Sequence, residues 1–198
     1  MSGFIQHTPG YRKNYKLPLE KRLTSLGIIF FFLCLTQVYG QEDGSILWDS
    51  SHRLSWTDFK SPPPANSRIA ATTASGIAYQ FSALEQAGKM EVDCSIQAYF
   101  YPEASWYRPE VATDNILSHE QLHFDISELY ARKMRTRVQG YTFSSNVKAE
   151  MRKIYSEILK ELREFQSRYD EETNYSRAVE KQVEWNVMIA KALNKTSG

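Results

Sequence analysis

The sequence predicts an α+β domain: a small, mainly antiparallel sheet packed on one long helix, with further helices C-terminal to it. Three observations carry this. Met90 to Tyr101 alternates apolar and polar residues with a period of two, the signature of a strand with one buried and one wet face. Thr113 or Asp114 can cap a helix that Gly140 would end. Two later stretches, 144–168 and 176–193, place apolar residues at helical spacing.

Residues 1–40 stand apart from the domain. They hold Arg12, Lys13, Lys16, Lys21 and Arg22 against Glu20, a net charge of +4, which leaves 19 basic and 22 acidic side chains beyond, a net charge of −3. Leu26 to Leu35 (LGIIFFFLCL) is apolar and uncharged and follows Lys21-Arg22 directly. It is too short to span a bilayer and has the length of a signal-peptide core. Val38-Tyr39-Gly40 sets small residues at the positions of a cleavage site before Gln41. The expectation is export to the periplasm or cell exterior, with a membrane anchor formed by residues 26–35 as the alternative. Residues 41–198 then form a single domain. Its one cysteine, Cys94, excludes an internal disulfide, and it carries no basic patch that would argue for nucleic acid.

Within the domain, Leu54 to Phe59 alternates and predicts a short strand. Pro62, Pro63 and Pro64 force an extended connection. Ile77, Tyr79 and Phe81 begin a strand that turns near Gly88 into the strand Met90–Tyr101, where Met90, Val92, Cys94, Ile96, Ala98 and Phe100 share one face. Cys94 is expected there as a small buried hydrophobe. In the following helix Ile116, His119, His123, Ile126 and Tyr130 form one stripe, and Arg132, Lys133, Arg135 and Arg137 crowd a solvated end. Val147, Met151, Ile154, Ile158, Leu162 and Phe165 form the core stripe of the next helix. Tyr169 to Tyr175 is expected to interrupt the periodicity before a last helix that carries Val179, Val183 and Trp185.

Leu117 to Phe124 contains His119-Glu120-Gln121-Leu122-His123, the H-E-x-x-H pattern. Two imidazoles four residues apart lie on one face of a helix and can share a metal ion. A catalytic zinc takes three protein ligands and leaves a position for water, whose pKa it lowers. Glu120 is placed to accept a proton from that water and deliver it to a leaving amine. Peptide-bond hydrolysis with Zn2+ is the chemistry this pattern implies, with peptides or proteins as substrates.

The third ligand does not follow from the motif. Of the four histidines, His7 belongs to the targeting segment and His52 is distant. Asp125 and Glu128 face away from the imidazole pair on a helix. Glu150, Glu157, Glu161 and Glu164 line one flank of the second long helix, and Glu171, Glu172 and Tyr175 lie in the break after it.

Four segments resemble, in the same order, a bacterial family of unknown function described as zinc-dependent proteases. They are Leu54–Phe59, Ala70–Ile77, His119–Ile126 and Tyr169–Tyr175. The resemblance implies a zincin-like fold. It also makes Tyr175 a candidate third ligand, because the family's last motif carries a histidine there. Tyrosine binds zinc as phenolate, less readily at neutral pH because its ordinary pKa is about 10; a nearby glutamate is the alternative ligand. The substitution also raises a second expectation, a non-catalytic pseudo-peptidase or peptide-binding envelope module with a weakened or structural zinc site.

Overall fold

The computed structural model describes residues 44–195 and shows an α+β architecture. The segment expected to direct export, including Leu26–Leu35, lies outside the described residues. A three-stranded antiparallel sheet has the order β1 (Ile46–Leu47), β4 (Lys89–Phe100), β3 (Ser75–Gln86). A two-stranded ribbon joins β2 (Ala71–Thr72) to β5 (Trp106–Tyr107). Three helices follow: α1 (Asp114–Gln139), α2 (Val147–Glu172) and α3 (Val179–Lys195).

β3 and β4 form a long hairpin in which Ser75 pairs with Phe100 and Gln86 with Lys89. Ala87 and Gly88, both at positive φ, make its two-residue turn (51° and 76°), the backbone that matches strand twist in tight hairpins. The alternation expected for β4 is present. Ile96, Ala98 and Phe100 are buried, whereas Met90, Val92 and Cys94 are half-buried as the hairpin extends beyond α1. Cys94 packs on the rim of the core, and burial raises its thiol pKa, which suits an unreactive side chain.

The segment Leu54–Phe59 is not a strand. Trp56–Asp58 form a 3₁₀ turn, because the Asp58 carboxylate reaches back to accept from the backbone N–H (2.7 Å) and hydroxyl (2.9 Å) of Ser55. That local capping wins over the alternation. Leu54 and Phe59 remain buried at the two ends.

α1 starts where its cap chemistry places it. The Thr113 hydroxyl accepts from the Ile116 N–H at 3.3 Å, and Gly140 closes the other end. A single buried stripe is too modest a description, since every residue from His119 to Glu128 is buried. The sheet covers one side, α2 and α3 cover others, and the N-terminal segment covers the rest. There Asp125 accepts from Trp48 Nε1 (2.9 Å) and Arg53 (3.0 Å), and Gln121 Oε1 accepts from the Leu54 N–H (2.7 Å).

α2 runs into the break expected at 169–175 and ends at Glu172, so the interruption begins only at Thr173. The core stripe does not stop at Phe165. It continues through Gln166, Tyr169 and Thr173, all buried. On α3, Gln182, Trp185, Ile189 and Leu193 are buried, while Val179 (51%) and Val183 (55%) are exposed.

Candidate metal centre

His119 and His123 project from adjacent turns of α1, and the last turn of α2 brings Asp170 against both. His119 Nε2 lies 3.2 Å and His123 Nε2 3.0 Å from Asp170 Oδ1. The two Nε2 atoms are 3.3 Å apart. All three side chains are buried.

The far edges of the rings are held by amides. His123 Nδ1 meets Gln166 Oε1 at 3.0 Å, and His119 Nδ1 meets Gln182 Oε1 at 2.9 Å. The His123 carbonyl, which accepts from Gln166 Nε2 (3.3 Å), fixes the first amide. Gln182 Nε2 donates to Tyr169 Oη (2.7 Å) and Asn186 Oδ1 (2.9 Å), and Tyr169 Oη also lies 2.9 Å from Gln182 Oε1. An amide oxygen only accepts, so each Nδ1 carries a proton, and in the neutral ring each Nε2 presents its lone pair. Two imidazole lone pairs and a carboxylate oxygen therefore converge.

That convergence could hold a metal ion. Three such atoms 3.0–3.3 Å apart attract a proton or a cation between them. Their spacing matches the edge of a tetrahedron, about 3.3 Å, set by zinc–nitrogen and zinc–oxygen bonds of about 2.0–2.1 Å. The donor set, two neutral imidazoles and one carboxylate, suits zinc. Burial disfavours the charged form of His123, yet hydrogen bonding and attraction from Asp170, with Glu120 and Gln166 adding to them, outweigh burial and raise its pKa.

Glu120 is 5% exposed beside this group, and among the described residues no hydrogen bond reaches its carboxylate. Its backbone carbonyl accepts from the Thr73 hydroxyl at 3.1 Å, which ties the motif turn to the segment between β2 and β3. Tyr169 walls the site from the α2 side. Its ring stacks on His119 at 4.5 Å and meets His123 edge-on at 5.0 Å. Burial pushes its phenol pKa far up, so it stays protonated and can donate to the His119 carbonyl, 3.1 Å away.

The structure thus brings together His119 and His123 from the sequence motif, with Glu120 buried in the same turn of α1. Tyr175 follows α2, with its N–H on the Asp170 carbonyl at 2.8 Å and its side chain 44% exposed. The third converging atom belongs to Asp170. His52 is exposed, and Glu171 and Glu172 are exposed at the end of α2. Glu161 instead joins Lys133 (2.7 Å) and Arg137 (2.9 Å), so the basic end of α1 is tied to α2. Asp125 and Glu128 do face away from the imidazoles, the latter paired with Arg132 and Arg135.

Sequence reasoning missed Asp170, Gln166 and Gln182. The available signal was the continuing α2 stripe, which puts Gln166 and Asp170 one turn apart on the motif-facing side.

No curated protein and no solved structure shows significant similarity to the chain. Residues 58–177, which include His119, Glu120, His123, Gln166 and Asp170, match the family described as "Bacterial protein of unknown function (DUF922)", and the chain belongs to that family.

Proposed function

We propose that this protein is a zinc-dependent peptidase in which His119, His123 and Asp170 hold the metal and Glu120 is the general base. The supporting observation is the convergence of two oriented Nε2 lone pairs and Asp170 Oδ1 beside a carboxylate with no hydrogen-bond partner among the described residues. Asp170 takes the third position, rather than Tyr175, because it is buried and lies within 3.2 Å of both imidazoles. Three protein ligands leave room for a water or substrate atom, as in catalytic zinc sites.

Zinc bound there supplies Lewis acidity and lowers the pKa of a water towards neutrality. The residues of the chain do the rest. Gln166 and Gln182 orient the imidazoles, and the Tyr169 ring keeps bulk water off their faces. Glu120 accepts a proton from the attacking water and passes it to the departing amine. A zincin-like relationship between helix and sheet is part of this proposal.

One observation favours a second reading, a zinc-holding module without turnover that binds peptides. The three ligands and Glu120 are 4–7% exposed. The groove of about 570 Å³ on the described surface, lined by Leu129, Tyr130, Lys133, Arg137 and Phe165 among others, includes none of them. Placement outside the cytoplasm rests on the sequence of residues 1–40. No helix among the described residues is long and apolar enough to cross a membrane.

Metal analysis and a peptide-library assay separate the readings. A peptidase carries one zinc per chain, loses it in His119→Ala, and in Glu120→Gln keeps zinc but loses hydrolysis. Zinc binding without hydrolysis of any library member supports the module. A well-folded protein that takes up no zinc refutes both.

A further inference from the structure

We propose that Gln182 is a positioning residue for the metal centre, one that makes α3 part of it by holding His119 in the orientation that binds metal. This rests on the metal reading above and extends it to a helix that begins beyond the family-matched stretch.

Gln182 is 1% exposed, on the buried face of α3 with Trp185, Ile189 and Leu193. An apolar residue would pack there without a desolvation penalty, whereas a buried amide is destabilising unless it is bonded. Here it is fully used. Oε1 meets His119 Nδ1 at 2.9 Å, and Nε2 donates to Tyr169 Oη and Asn186 Oδ1 at 2.7 Å and 2.9 Å. Asn186, one turn on, donates to Ser118 Oγ at 2.9 Å. Two residues of α3 thus grip Ser118 and His119, the first positions of the metal-bearing turn.

The geometry gives the grip a chemical consequence. A neutral imidazole can place its proton on either nitrogen. Only the Nδ1–H form turns a lone pair at Nε2 towards Asp170, and Gln182 Oε1 selects that form. His123 has its own holder in Gln166, on α2, so the two rings are set independently. An amide also fixes the ring without adding a charge to a centre that already holds Asp170 and Glu120. A carboxylate at 182 would fix the same tautomer and make the ligand more basic.

The test uses the full chain and Zn2+ itself. Zinc affinity is measured by chelator competition for the wild type, Gln182→Met (similar length, no acceptor) and Gln182→Glu. Imidazole nitrogen NMR of the metal-free forms reads which nitrogen of each ring is protonated. Gln182→Met should weaken zinc binding about 10–100-fold, the range for lost outer partners, while Gln182→Glu binds at least as tightly as the wild type. In Gln182→Met, His119 should become a mixture of tautomers while His123 stays Nδ1-protonated. Wild-type zinc affinity in Gln182→Met overturns the inference and leaves the metal site standing. A wild type that binds no zinc overturns the metal reading, and the His119 tautomer still decides the role of Gln182. Should Gln182→Met not fold, a wild-type His119 protonated at Nε2 overturns the inference, and an Nδ1 proton kept in Gln182→Glu supports it.

Discussion

Gln166 and Asp170, one turn apart on α2, hold opposite edges of the same ring: Gln166 Oε1 lies 3.0 Å from His123 Nδ1, and Asp170 Oδ1 lies 3.0 Å from His123 Nε2. The amide fixes the proton on the far nitrogen, and the carboxylate faces the lone pair. Two residues at one helical spacing therefore hold the His123 ring from both edges.

This arrangement makes Asp170 the decisive position. Asp170→Asn keeps the shape and removes the charge, and should lower zinc affinity at least 100-fold while far-UV circular dichroism is unchanged. Tyr175→Phe should bind zinc as the wild type does. Equilibrium dialysis of the two variants checks the assignment; loss of zinc in Tyr175→Phe with retention in Asp170→Asn would return the third ligand to Tyr175.

The turn between α2 and α3 holds Asn174, Tyr175 and Ser176 at φ values of 47°, 54° and 72°. Consecutive non-glycine residues in the left-handed region are strained by about 1–2 kcal/mol each. The turn persists because the Tyr175 and Ala178 N–H groups donate to the Asp170 and Thr173 carbonyls (2.8 and 2.9 Å), and Asn115 Nδ2 donates to the Ser176 carbonyl (2.6 Å). Tyr175→Gly should therefore be no less stable than the wild type in urea melts. Tyr175→Val should lose more than about 1 kcal/mol, since a β-branched residue tolerates positive φ worst.

Ala87 occupies the first turn position of the β3–β4 hairpin at φ 51°, where asparagine or glycine is favoured. Ala87→Asn should raise stability by about 0.5–1 kcal/mol, seen as a higher urea midpoint at unchanged slope. A lower midpoint would mean that the turn is not set by its φ values.

Glu161 links α2 to the end of α1. The Lys133 ammonium bonded to its carboxylate, with Arg137 beside it, holds its pKa below the ordinary 4.5 against the pull of burial. A depressed folded pKa gives stability that is present above the unfolded value and lost as pH falls through the folded one. Glu161→Gln should thus flatten the decline in stability below about pH 4.5. Because Glu161 and its partners are partly exposed, the cost at neutral pH should stay within about 1 kcal/mol. Urea melts from pH 3 to 7 check both.

Local chemistry made part of this structure readable in advance. Thr113 and Gly140 mark the ends of α1 through contacts within a few residues, and the alternation of β4 needs only itself. The pairing of His119 with His123 was legible because they lie one helical turn apart. The misreadings have physical causes too. Asp58 capping Ser55 cannot be told from alternation until the chain bends. The polar run at 169–172 resembles a break because its apolar partner, Tyr169, continues a stripe that began 22 residues earlier at Val147. Gln166 and Gln182 are of a type that is exposed far more often than buried. Only the long-range packing of α2 and α3 on α1 turns them inward. The valines of α3 show the converse: Val179 and Val183 are apolar yet exposed.

The complete burial of His119–Glu128 also bears on how the chain can vary. An amphipathic helix accepts changes with a rhythm of three to four residues, as its outer face passes by. Through these positions α1 has no outer face. Saturation mutagenesis should therefore return an unbroken block of intolerant sites there, and ordinary periodic tolerance should resume only past Leu129, where Lys133 and Thr136 reach solvent. Such a plateau would trace how far the surrounding sheet, segment and helices close around the motif, without any measurement of metal or of turnover.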